Sequence, residues 1–107
     1  MTTTINSDHA TADELCVILS GDLDHRTRRA VEDSIAGQLS RREYQAVVLD
    51  LSDVTYVDSA GLELIVWIHH RYPDRSAVRL LVASGSQPDR VLRLVCFDRL
   101  VSIAAAA

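Results

Sequence analysis

Ala46-Val47-Val48-Leu49-Asp50-Leu51 is a nearly unbroken apolar run, with side chains of the β-forming type at odd and even positions alike. A strand of this kind has no polar face, the pattern of a central strand in a parallel sheet covered by helices. On its C-terminal side, Ser52-Asp53-Val54-Thr55-Tyr56-Val57 reads as a connection, with Val54 and Val57 tucked beneath it. A helix is predicted from Ser59 to about Tyr72, its apolar face formed by Leu62, Ile65, Val66 and His69 and widened by Leu64, Trp67 and Ile68. Pro73-Asp74 stops it. On the N-terminal side lies another predicted helix, opened by Asp24-His25-Arg26-Thr27 with Asp24 or Thr27 as its cap. Ala30, Val31, Ser34, Ile35 and Leu39 share one face of it.

Further out, Leu15–Leu19 reads as a buried strand ended by Ser20-Gly21-Asp22, and Val78–Ala83 as another. A third helix is expected near Pro88, with Val91, Leu92, Leu94 and Val95 as its apolar face. Leu100–Ile103 reads as a last short strand. Thr3–Ser7 suits an edge strand, and Ser7–Asp13 a loop or hairpin connection. The alternation of strand and helix predicts the α/β class: a mixed, mostly parallel sheet of four to five strands with crossover helices. One domain is expected over residues 1–107, with its core at about 14–103 and an N-terminal edge strand and loop at 1–13.

Composition narrows the function. With one Trp, one Phe and three Tyr, the core has to be built from aliphatic side chains. The net charge is −4, the chain has no Lys, and no basic stripe interleaves with aromatics, so direct nucleic-acid binding is not expected. The N-terminus lacks the charged and apolar regions of a signal peptide, and no apolar run approaches the ~20 residues of a membrane span. A cytoplasmic protein is expected, with Cys16 and Cys96, both inside apolar runs, as buried free thiols.

The stretch with chemical content is Asp58-Ser59-Ala60-Gly61-Leu62, at the junction of a connection and a helix. A serine there lies where free backbone N–H groups and the helix dipole favour negative charge, so a phosphate on it would be stabilised. The small residues Ala60 and Gly61 leave the hydroxyl uncovered and allow another protein to come close. Asp-Ser before an apolar helix is also a common N-cap, and a capping hydroxyl can itself accept a phosphate.

Two blocks of this sequence, Val17-Ile18-Leu19-Ser20-Gly21-Asp22-Leu23-Asp24 and Val47 through Leu62, resemble the STAS domains, most closely the bacterial anti-sigma factor antagonists. A looser third block runs from Pro88 to Arg93, followed by Phe97-Asp98-Arg99-Leu100. The resemblance implies a single STAS-type domain that binds an anti-sigma factor with serine kinase activity and so frees a sigma factor. It implies phosphorylation of Ser59 by that kinase, which breaks the complex, and a phosphatase that restores it. It places Asp58 beside the acceptor, Asp24 near it, and Ala60, Gly61 and Leu62 with them on the partner-binding surface. Ala60 stands where many relatives carry Ser or Thr, and Cys96 where relatives often carry Gly.

Other constellations carry less. His69 and His70 are adjacent on a helix and point in different directions, so they do not chelate one ion. They lie about 15 Å along the helix from Ser59, too far for a serine–histidine relay. Val57-Asp58-Ser59-Ala60-Gly61 lacks the first glycine of a nucleophile elbow, and neither a Gly-rich phosphate loop nor metal-ligand spacing is present. No enzymatic activity, cofactor, metal or membrane partner is expected. Arg26, Arg28 and Arg29 read as a solvated helix face, and Trp67 as core or rim. The competing reading is a non-catalytic STAS subunit of a signalling scaffold or transport complex in which Ser59 is only a helix cap.

Overall fold

In the computed structural model, which describes residues 2–6 and 13–106, five strands form one sheet in the order β1-β2-β3-β4-β5. The strands are β1 (Thr2–Asn6), β2 (Glu14–Leu23), β3 (Ala46–Val57), β4 (Val78–Val82) and β5 (Ser102–Ala105). β1 runs antiparallel to β2, and every other neighbouring pair is parallel. Helices α1 (Arg28–Arg41), α2 (Ser59–Arg71) and α3 (Gln87–Leu94) make the three crossovers. The mixed, mostly parallel α/β sheet expected from the alternation is present. The loop expected at Ser7–Asp13 lies, apart from Asp13, outside the described residues.

Each crossover moves one strand along in the same direction, so a constant right-handed connection puts every helix on the same face. Burial agrees with this. Leu15, Val17 and Leu19 of β2, Val47, Leu49 and Leu51 of β3, and Val78, Leu80 and Val82 of β4 form one core with Val31, Ile35, Leu39, Leu64, Ile65, Ile68 and Leu92 of the helices. The alternate residues Ile18, Asp50 and Leu81 are half-buried and Arg79 is exposed. The two-sided helical cover expected around β3 is therefore one-sided. Val48 on the uncovered face is buried all the same, flanked in the sheet by Cys16 and Arg79.

The largest departure from the sequence reading is the length of the two central strands. Ser52–Val57 is strand rather than connection, and β2 continues through Ser20-Gly21-Asp22 to Leu23. Register explains why the pattern concealed this. Ile18 pairs with Asp50 but Ser20 with Asp53, and Gly21 pairs with Val54 but Asp22 with Tyr56. β3 thus takes in an extra residue at two points, each a bulge that breaks the period of two. Its core-facing residues run Val47, Leu49, Leu51, then Val54 and Val57. Gly21, at φ +95°, supplies the backbone that the second irregularity requires.

The helix faces also differ in detail. α1 begins at Arg28, and Ala30 and Ser34 are exposed, leaving Val31, Ile35 and Leu39 buried. The buried face of α2 is Gly61, Leu64, Ile65 and Ile68, while Leu62, Val66, Trp67 and His69 are half-buried. On α3 only Pro88 and Leu92 are buried, with Leu94 at 83% exposure. Cys16 is buried, but Cys96 is exposed and has φ +61°, the left-handed conformation that glycine adopts most readily.

Leu51→Ala removes a fully buried side chain just before the first bulge. It is expected to cost about 2–5 kcal/mol, read as a lower urea midpoint at unchanged slope. Tyr56→Ala, on the exposed side of the same strand end, is expected to cost less than about 1 kcal/mol.

Candidate functional site

The site forms where the C-terminal ends of β2 and β3 meet α1 and α2. β3 stops at Val57, and Asp58, in an extended conformation, caps α2: its Oδ1 accepts from the N–H groups of Ala60 at 2.8 Å and Gly61 at 3.3 Å. Its carbonyl accepts from Leu62 N–H at 3.1 Å. Ser59 is the first residue of α2 and is exposed. The cap is therefore Asp58 and not Ser59, and among the described residues the Ser59 hydroxyl has no hydrogen-bond partner.

The other Asp58 oxygen faces α1. Oδ2 lies 3.4 Å from the His25 N–H and 3.8 Å from His25 Nδ1. The Asp58 N–H donates to the Leu23 carbonyl at 3.3 Å. The turn between β2 and α1 is thereby joined to the start of α2. Gly61 makes this approach possible: a Cβ there would sit 2.8 Å from the Leu23 carbonyl oxygen and 2.8 Å from Val57 Cγ1. Gly61 faces inward as a packing residue, while its neighbours Ala60 and Leu62 are both half-buried.

Asp24 is also turned inward. Only 6% exposed, its Oδ1 accepts from Arg26 N–H at 2.9 Å, Thr27 N–H at 3.2 Å and the Thr27 hydroxyl at 3.2 Å, and its Oδ2 pairs with the Arg26 guanidinium at 3.2 Å. It holds the tight turn before α1, and its carbonyl receives the N–H of Arg28 at 2.8 Å. Thr27 precedes α1 without capping it through its side chain, because its hydroxyl is engaged by Asp22 and Asp24. Burial works to raise the Asp24 pKa, but the Arg26 and Thr27 hydrogen bonds and the Arg26 charge outweigh it, and the carboxyl titrates below the usual range.

Arg26, Arg28 and Arg29 do not form a free basic patch. They pair with Asp24, with Glu32 and Glu63, and with Asp33. Arg28 reaches Glu63 on α2 at 2.7 Å, tying the two helices one turn beyond Ser59. Sequence reasoning missed two further contacts of the site. One is the His25 backbone on Asp58. The other is Gln87, whose side-chain amide holds both the N–H and the carbonyl of Val57. A side chain bonding to backbone across 30 residues leaves no local sequence signal. Among the described residues, no group of His, Cys, Asp and Glu is arranged to hold a metal ion, and no helix is long and apolar enough to cross a membrane.

Residues 3–106 match the STAS domain. The chain belongs to the STAS domain family. A Paenibacillus polymyxa anti-sigma F factor antagonist is 38% identical over 52 residues, which is 49% of this chain and 44% of that protein. The chain thus aligns with less than half the length of this curated relative. Among solved structures, an anti-sigma factor antagonist from Mycobacterium paratuberculosis superposes with a TM-score of 0.79 at 22% identity, covering 95% of this chain and 83% of that one. The anti-sigma factor antagonist SpoIIAA in its unphosphorylated form gives 0.78 at 15% identity over 99% of this chain and 89% of that one. The phosphorylated form of the Bacillus protein gives 0.69 at 14% identity, covering 99% and 92%. At these identities the shared property is the fold.

This STAS domain makes two testable statements about its own site. Gly61→Ala forces the Leu23 carbonyl or Val57 to move and is expected to cost about 1–3 kcal/mol in thermal or urea unfolding. Asp24, with its folded pKa depressed, contributes stability that is present above the unfolded carboxylate value of about 3.9 and is lost as pH falls through the folded value. Asp24→Asn is therefore expected to flatten the fall in stability below about pH 4. Asp74, held down by Ser76, and Asp89, held down first by the Gly85 N–H, keep part of that slope.

Proposed function

We propose that this STAS domain is a cytoplasmic anti-sigma factor antagonist that binds an anti-sigma factor with serine kinase activity, and that phosphorylation of Ser59 by that kinase releases it. A phosphatase acting on phosphorylated Ser59 resets the switch, and sigma-factor-dependent transcription is the regulated output. The observation that carries the reading is exposed Ser59, its hydroxyl without a hydrogen-bond partner among the described residues, at the head of a helix whose cap is supplied by its neighbour Asp58. A serine needed as the cap would have its oxygen committed to backbone N–H groups, and this one does not. That geometry supports the switch over the reading of Ser59 as a mere cap. The likeness to anti-sigma factor antagonists, one of them solved with and without phosphate, supports the same reading.

The protein acts by contact and needs no cofactor for it. Ser59, with Ala60, Leu62 and the rim of Asp58, forms the surface that meets the partner, while Asp24 and Gly61 build the turns beneath it. A phosphate adds about −1.5 to −2 charge at neutral pH. The α2 N-terminus stabilises it locally. The partner, fitted to a neutral hydroxyl beside the Asp58 carboxylate, then faces a doubly acidic surface and loses affinity by repulsion and desolvation.

Incubation with an anti-sigma kinase, Mg²⁺ and ATP, followed by intact-mass and peptide analysis, is expected to show one phosphate on Ser59 and none on Ser59→Ala. Ser59→Asp, which buries an unpaired charge in the interface, is expected to weaken partner binding by about 30-fold or more. A stable complex without modification would instead establish a constitutive STAS subunit.

A further inference from the structure

β4 pairs with β3 only as far as Asp50, so Leu51–Val57 runs on beyond that ladder. At its end the backbone of Val57 is closed by one side chain. The Val57 N–H donates to Gln87 Oε1 at 2.9 Å, and the Gln87 Nε2 donates to the Val57 carbonyl at 2.9 Å. A primary amide offers a donor and an acceptor side by side, so here it takes the place of a neighbouring strand. Gln87 is the first residue of α3, which is itself fixed at that end: Ser86 Oγ caps it by accepting from Asp89 N–H, and Pro88 and Leu92 are buried.

On the opposite edge, the N–H of the next residue, Asp58, is held by the Leu23 carbonyl. Val57 and Asp58 are therefore fixed from two sides, by α3 and by β2, immediately before Ser59. We infer that Gln87 is a positioning residue for the Ser59 acceptor, its amide fixing the end of β3 from which the acceptor turn springs. The inference rests on the reading of Ser59 as the phosphate acceptor. No smaller or differently charged side chain does the same: Asn is one methylene short, Glu sets a carboxylate against the Val57 carbonyl, and Ala leaves both backbone groups to water.

Two measurements on the full chain test it, amide hydrogen exchange in the free protein and steady-state phosphorylation by an anti-sigma kinase. In Gln87→Ala, exchange at Val57 is expected to rise about tenfold or more, with Ser59–Gly61 following. Val48–Asp50, in the β3–β4 ladder, should stay within about twofold of wild type. Phosphorylation is expected to lose about tenfold in kcat with KM within about twofold, because a loosened acceptor loses its in-line geometry and not its docking surface. Gln87→Glu keeps the size of the side chain and removes the donor. It should reproduce both effects, which separates the clamp from simple packing even where Gln87→Ala folds poorly. Unchanged exchange at Val57, an equal rise along all of β3, or a wild-type kcat despite local loosening would each overturn the inference. A wild-type chain that takes no phosphate would instead overturn the reading of Ser59, and exchange in the free protein would still decide whether the clamp holds.

Discussion

The Leu23 carbonyl oxygen, at the end of β2, is the point on which the site is built. It accepts the Asp58 N–H, and it lies where a side chain on Gly61 would have to be. These two facts together bring the start of α2 down onto the ends of the central strands. A Cβ at position 61 would push the helix away, and the Asp58 N–H would lose its acceptor at a half-buried position. Glycine here serves close approach and not an unusual backbone angle. Once α2 sits this low, Asp58 can place one oxygen on its own helix and the other against the turn that carries Asp24 and His25.

That arrangement divides labour between two adjacent residues. Capping requires an oxygen turned back toward the helix, and Asp58 supplies it, so the neighbouring serine is not needed for that task. With Asp58 as cap, the Ser59 oxygen has no hydrogen-bond partner among the described residues. Asp24 is similarly spoken for: its carboxylate organises its own turn and is paired with Arg26, so it adds little negative field beside Ser59. The acidic character next to Ser59 comes from Asp58 itself and, one turn on, from Glu63, which Arg28 partly offsets.

Much of this was legible in the sequence, and the failures share a cause. The apolar runs at Leu15–Leu19, Ala46–Leu51 and Val78–Val82 announce strands because the hydrophobic period is intact there. It fails from Leu51 onward, where two bulges space the core residues Leu51, Val54 and Val57 three apart. The residues between them, Ser52, Asp53, Thr55 and Tyr56, are polar or exposed, so a true strand looks like a loop. Leu94 misled in the opposite sense, since an apolar residue at helical spacing was taken for core when α3 buries only Pro88 and Leu92. The Asp58–Ser59 junction was found from its residue types, but which of the two caps depends on side-chain direction, and no spacing encodes that. Gln87 was invisible because its partners are backbone atoms, which look the same at every position.

The same bulges that hid the strand bear on how a switch would work here. They lie in the part of β3 that runs past its pairing with β4, and the turn that carries Ser59 follows beyond that ladder. A projecting strand end would ordinarily fray, because its outer N–H and carbonyl groups face water. Here β2 follows β3 to Val57 on one side, and the Gln87 amide closes the other. The turn is thus both accessible and fixed. A phosphate added to a fixed turn changes the charge of the surface far more than its shape. Recognition would then rest on electrostatics at a rigid site, and a domain this small can sustain that without a second conformation.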